Sequence, residues 1–141
     1  LKLNSLLDEE FVEALYAASI AGVEIDLVVR GICSLLPGIP GVSENIRVRS
    51  VLGRFLEHSR IYHFVNNNDD EYWIGSSDLM HRNLDRRVES LLRIEKVQHK
   101  DILREIFEIS LSCMWIWGFV PPSDILSYIL FCPYRQSFAH F

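Results

Sequence analysis

Apolar residues recur along this chain with two different periods, and each change of period marks an element. Asp8-Glu9-Glu10 offers a capping side chain and acids to a helix start, and Phe11, Leu15 and Ala18 follow at helical spacing as far as Gly22. The period then drops to two. Val23, Ile25, Leu27 and Val29 alternate with Glu24, Asp26 and Val28, which predicts a strand whose carboxyl end delivers Arg30-Gly31. Pro37-Gly38 and Pro40-Gly41 make residues 33–44 a loop. Over 46–55, Val48, Val51, Leu52 and Phe55 fit a helix with Arg47 and Arg54 on its other side. Strands are predicted at 60–65 and 71–74, around a polar turn at 66–70, and again at 87–92. A helix from about 98 to 112 would turn Ile102, Ile106, Phe107 and Ile109 inward. This order predicts a mixed α/β fold.

The last segment breaks the pattern. Residues 111–120 and 125–132 are apolar runs split by Pro121-Pro122, and each is shorter than the roughly 20 residues needed to span a bilayer. This stretch reads as a flap over the domain or a self-association surface, with no site chemistry of its own.

With 141 residues, 49% apolar and 23% charged, the chain is expected to fold as one domain or a piece of one. The formal charge of −5 is unevenly placed. Residues 1–29 hold one cation, Lys2, against six acids, so the remainder sums to zero. Nine arginines fall in 30–93 against eight acids, so a basic surface can arise only where the fold gathers arginines. Such a balance suits a small polyanion better than a long duplex, and no nucleic-acid partner is expected. Cys33, Cys113 and Cys132 are far apart and lack metal-site spacing, which fits a reduced cytoplasmic setting. His81, His99 and His140 also lack partners at ligand spacing, which argues against zinc.

The candidate chemistry centres on His58. Arg60 stands two residues on, on the same side of an extended strand, and Gly75-Ser76-Ser77-Asp78 closes the next strand with hydroxyls and a carboxylate able to orient the ring. Arg30, Arg82, Arg86 and Arg87 add planar cations of the kind that grip phosphate oxygens in pairs. Arg82, Arg86 and Arg87 have a second reading, as ion-pair partners of Asp85 and Glu89. Arg47, Arg49 and Arg54 read as an exposed or ion-paired face, and His63 and Trp73 as structural.

Several long stretches carry a resemblance. They are Leu3-Asn4-Ser5-Leu6-Leu7-Asp8, Ala14-Leu15-Tyr16, Ile25-Asp26-Leu27-Val28-Val29-Arg30-Gly31-Ile32-Cys33 and Gly41-Val42-Ser43-Glu44-Asn45-Ile46-Arg47. Phe55-Leu56-Glu57-His58-Ser59-Arg60-Ile61-Tyr62, Ile74-Gly75-Ser76-Ser77-Asp78-Leu79-Met80 and Arg82-Asn83-Leu84-Asp85-Arg86-Arg87-Val88-Glu89 complete the set. In this order they make residues 1 to about 112 resemble the last domain of long-chain (type 1) polyphosphate kinases, with 113–141 left unmatched.

The resemblance implies a phospholipase-D-like mixed sheet flanked by helices, one lobe of a two-lobe catalytic core. It implies reversible transfer of the terminal phosphate of ATP to inorganic polyphosphate. The phosphohistidine would lie in the preceding domain and Mg²⁺ mainly outside this one. By position, Arg30 and His58 match the family's ATP-binding residues, with His58 as a catalytic group. Arg60, Arg82, Arg86 and Asp78 become candidate phosphate or polyphosphate contacts. ATP, ADP, polyphosphate and the rest of the kinase chain are the implied partners, in a homo-oligomeric enzyme, and this piece is expected to be inactive alone.

A phospholipase D motif has Lys two residues after its His and Asp seven after. Here Arg60 and Val65 take those places, which disfavours a phosphodiesterase or nuclease acting as a homodimer. A non-catalytic module binding nucleotide or polyphosphate is the third reading.

Overall fold

The computed structural model describes residues 1–51, 56–66 and 69–112, together with the backbone of 115–117. The chain opens with a two-residue strand, β1 (Lys2–Leu3), too short to show a period in the sequence. Helix α1 (Glu9–Ile20) begins where expected, because the extended Asp8 accepts the N–H of Phe11 at 3.0 Å and so satisfies one orphan donor of the first turn. Val12, Leu15 and Ser19 are its buried face. Strand β2 (Ile25–Val29) is buried at every position except Asp26, as a central parallel strand should be.

Residues 46–50 form a strand, β3 (Ile46–Ser50), where the sequence reading expected a helix. Ile46, Val48 and Ser50 are buried while Arg47 is exposed and Arg49 half-buried, a period of two. The outward arginines bond across to β2: Arg47 to Asp26 through two nitrogens at 2.9 Å, and Arg49 to Asp26 at 2.8 Å. The helical spacing leaned on Leu52 and Phe55, which with Arg54 lie outside the described residues. The short alternating stretch had the better claim, because it places Ile46 and Val48 against the core and both cations beside a carboxylate.

Strands β4 (Ile61–Phe64) and β5 (Glu71–Gly75) form the expected hairpin. A short helix, α2 (His81–Leu84), follows. The next strand, β6 (Leu91–Ile94), starts four residues later than the expected 87–92. Residues 85–90 are spent on a turn that Glu89 closes through Ser76 and Asn83. Helix α3 (Val97–Ser112) lies where expected, but none of its residues is buried, and Ile102 and Ile109 are 55% and 44% exposed. The inward face assigned to it is corrected at Ile102 and Ile109, while Ile106 and Phe107 are half-buried and turn toward the sheet. Of the tail, only the backbone of β7 (Trp115–Trp117) is described, paired antiparallel with β3, so the flap and self-association readings lie outside the described residues.

The sheet order is β6-β5-β4-β1-β2-β3-β7, with β1, β2 and β3 mutually parallel and the outer pairings antiparallel. This is the mixed α/β sheet flanked by helices that the sequence implied. Leu3, Leu15, Leu27, Val29, Ile46 and Val48 anchor one core between α1 and the sheet. No helix among the described residues is long and apolar enough to cross a membrane.

Candidate functional site

Strand register brings the singled-out residues to one end of the sheet. Leu3 is level with Val29, so Asn4 is level with Arg30, and the backbone follows: Arg30 donates to the Leu3 carbonyl and Gly31 to that of Asn4. Lys2 opposes Ile61 in the antiparallel sense, which sets Ser59 opposite Asn4. Gly75 N donates to the Arg60 carbonyl, so the end of β5 arrives at the same edge. Two glycines permit this crowding. A Cβ on Gly31 would stand 3.0 Å from the Asn4 carbonyl, and one on Gly75 would stand 2.9 Å from the Ser90 carbonyl.

Asp78, 3% exposed, is the knot of the site. Its Oδ1 accepts the backbone N–H of Asn4 at 2.8 Å and of Ser5 at 3.2 Å. Arg60 grips both of its oxygens, Nε to Oδ1 at 3.1 Å and Nη2 to Oδ2 at 2.9 Å. Burial pushes the Asp78 carboxyl upward, but the Arg60 hydrogen bonds, the two N–H donors and the Arg60 charge outweigh it and hold it below the usual carboxylate range. Arg60 is raised in turn, chiefly by its hydrogen bond to Asp78.

The remaining nitrogen of Arg60 meets His58. Nη1 lies 3.1 Å from Nδ1 and 3.4 Å from the His58 carbonyl, with Nη2 3.4 Å from Nε2. Asp78 thus acts on Arg60 and makes no contact with the ring, so the expectation that this carboxylate orients the imidazole directly is corrected. His58 is exposed. With Ser59 and Arg60 it lines a cavity of about 480 Å³ whose other walls include Gly75, Ser76 and, from α3, Leu103 and Ile106.

Arg30 stands at the same sheet end with β1 between it and β4, about 10 Å across at ordinary strand spacing. It is partly exposed, outside that cavity, and forms no side-chain ion pair among the described residues. Arg82, Arg86 and Arg87 are exposed on and just after α2. Their expected carboxylate partners are engaged elsewhere: Asp85 with His81, and Glu89 with Ser76 and Asn83. Among the described residues these three guanidinium groups are in no ion pair.

Two supporting residues gave no sequence signal. Lys2, 2% exposed, reaches across to Glu57 at 3.1 Å and Ser59 at 2.8 Å, tying β1 to the segment that carries His58. Asn4, 4% exposed, has neither side-chain polar atom hydrogen-bonded among the described residues. A buried Lys and a buried Asn are rare enough that composition alone points away from them. His63 is structural as expected, stacked on Tyr72 with centroids 4.3 Å apart, and Trp73 packs against the core with Arg93 over its ring.

Comparison with known proteins matches residues 1–114 to the polyphosphate kinase C-terminal domain 2 family. The polyphosphate kinase of Streptomyces coelicolor is 57% identical over 112 residues, covering 79% of this chain and 15% of the relative. That of Mycobacterium avium is 60% identical over the same share of each. The crystal structure of polyphosphate kinase from Porphyromonas gingivalis superposes with a TM-score of 0.77 at 44% identity, covering 81% of this chain and 18% of that one. The chain thus spans about a sixth of the length of these relatives. Its matched length, identity and fold together mean that the chain belongs to the polyphosphate kinase C-terminal domain 2 family.

Proposed function

We propose that this chain supplies one wall of the active site of an ATP:polyphosphate phosphotransferase, the other wall coming from the preceding domains. The observation that carries this reading is the group at the sheet end: an exposed imidazole, His58, against a guanidinium that a buried carboxylate fixes in place. Phosphoryl transfer asks a protein mainly to position groups and to neutralise charge on the transferring oxygens. His58 would hold or protonate the β-phosphate side of the nucleotide as ADP leaves. Arg30, a cation with no ion-pair partner among the described residues, would hold oxygens of the same triphosphate. The three unpaired arginines around α2 favour contact with polyphosphate over the ion-paired reading. In the same proposal the phosphohistidine belongs to the preceding domain, the transfer runs in both directions, and this piece alone does not turn over.

In the same proposal magnesium is held mainly by the preceding domain.

The test exchanges residues 1–112 into the Streptomyces coelicolor relative at the matching segment and measures polyphosphate synthesis. His58→Ala is expected to cost on the order of 10²–10³ in turnover, and Arg30→Ala to weaken ATP binding. Near-normal synthesis by the His58→Ala chimera would overturn the reading.

A further inference from the structure

We propose that Asp78 is a positioning residue that acts on His58 through Arg60, and that the pair sets which ring nitrogen faces the substrate as a donor. The role of the ring in catalysis rests on the function proposed above; the tautomer does not.

Arg60 has five N–H donors in a rigid fork and no acceptor. Nε and Nη2 are committed to the two Asp78 oxygens. That leaves Nη1 aimed at His58 Nδ1, its shortest contact with the ring at 3.1 Å. A guanidinium cannot accept, so a neutral ring meeting it through Nδ1 must present a lone pair there and carry its hydrogen on Nε2. Nη2 also approaches Nε2, at 3.4 Å, but the shorter Nη1–Nδ1 contact is the one that favours the lone pair at Nδ1. An imidazole in this state offers an N–H to a phosphate oxygen, and its one lone pair is already taken. It is built to hold a phosphate oxygen through that N–H, and ill-suited to attack phosphorus.

Arg60 itself is unlike a phosphate clamp. A bidentate grip on an incoming phosphate needs two parallel N–H groups, and of the two such edges Asp78 takes the Nε/Nη2 pair while the Nη1/Nη2 pair faces the His58 ring. The Arg60 side chain is only 10% exposed and that of Asp78 5%. Asp78 in turn cannot drift, because the Asn4 and Ser5 amides fix it to the end of β1. The chain of command therefore runs from the β1 backbone through Asp78 and Arg60 to His58. It joins the ends of three strands, β1, β5 and β4, and each link is a geometry of the fold rather than a feature of any one motif.

The first measurement uses the 141-residue chain, labelled with ¹³C,¹⁵N-histidine, at about pH 8.5 where an ordinary histidine is neutral. His58, assigned by loss of its signals in His58→Gln, is expected as the Nε2–H tautomer. Arg60→Lys keeps the charge but cannot hold both Asp78 oxygens and Nδ1 at once, and it is expected to return the ring to a tautomer mixture. Asp78→Asn should do the same. A wild-type ring protonated at Nδ1, or a tautomer indifferent to both substitutions, would overturn the proposal.

The second measurement uses the full-length chimera. Arg60→Lys and Asp78→Asn are each expected to lower kcat at least tenfold while KM for ATP stays within about twofold, and the double variant should be no worse than the poorer single. A rise in KM for ATP with kcat preserved would make Arg60 a direct phosphate ligand and overturn the positioning role. Arg60→Lys guards against misfolding in Asp78→Asn, since it leaves the Asn4 and Ser5 bonds intact. If His58→Ala alone remains active, the functional reading fails while the tautomer result still stands; if His58→Ala is dead and Arg60→Lys is unaffected, only the positioning fails.

Discussion

The two halves of the sheet are built to different standards. In β1, β2 and β3 with α1, nearly every inward side chain is under a tenth exposed, and parallel pairing runs over four registered positions between β2 and β3. In β5, β6 and α3, the last strand has Leu91 and Leu92 57% and 61% exposed, and the last helix buries nothing. Helix α3 is held instead by polar ties: Lys100 to the Asp70 carbonyl at 2.6 Å, Arg104 near Asp70, and Phe107 tilted against His63. The contrast locates the site. Between the halves, β1 and β4 share a single registered pair, Lys2 with Ile61. The seam is completed by side chains, Lys2 to Glu57 and Ser59 on one side and Asp78 to Asn4, Ser5 and Arg60 on the other. The His58 group is therefore part of the join itself.

The contrast breaks most sharply in the first half. Leu27, 0% exposed at the centre of β2, packs against the α1 core. Leu27→Ala is expected to cost about 3–4 kcal/mol in denaturant unfolding, the usual size for a buried leucine whose cavity cannot collapse. A loss under about 1 kcal/mol would mean that this half is looser than its burial suggests.

The seam ranks next and can be read by acid. Asp78 is held below its unfolded carboxyl value, so its stabilisation is complete above the unfolded pKa, near 4, and drains away as the pH falls through the folded value. Asp78→Asn leaves a nearly buried Arg60 without its counter-charge and is expected to destabilise by about 2–3 kcal/mol at neutral pH. The variant should also flatten the acid limb of the stability curve, leaving the portion owed to Asp26, which its arginine partners hold low against its own desolvation. Parallel acid limbs for the two proteins would remove Asp78 from the seam.

The first half was also the more legible from sequence. The capping Asp8, the presence of β2 and the placing of Arg30 at its end all read correctly, although β2 begins at Ile25 rather than Val23 and buries Val28 as well, as a strand covered on both faces does. β3 was hidden by competition between two periods. Its alternation of Ile, Arg, Val, Arg and Ser was the signal, and the carboxylate of Asp26 one strand away was its confirmation. α3 misled in part for the opposite reason: Ile102 and Ile109 are exposed, so two positions read as core lie at the surface. His58 and Arg60 were visible as a pair, but Asp78's true partner was not, since no spacing reveals which of two neighbours 18 and 20 residues upstream a carboxylate will take. Lys2 and Asn4 were invisible because their roles arise only when β1 meets β2 and β4.

The smallest expected effect tests the loose half. Ile102 sits in the middle of α3 and is 55% exposed. Ile and Ser differ little in helix propensity, and a side chain already more than half in water has little apolar area to lose. Ile102→Ser is therefore expected to move the stability of this chain by no more than about 0.5 kcal/mol, the usual range for a surface position. Any larger loss would place Ile102 in a packed layer and α3 in the cooperative core. If the small value holds here and the large one at Leu27, the boundary between the halves is energetic as well as geometric. The group at the join would then rest on one rigid side, with β1 and β2 fixing Asp78 and Asp78 fixing Arg60. His58 would be positioned from the packed half, although the strand that carries it belongs to the other.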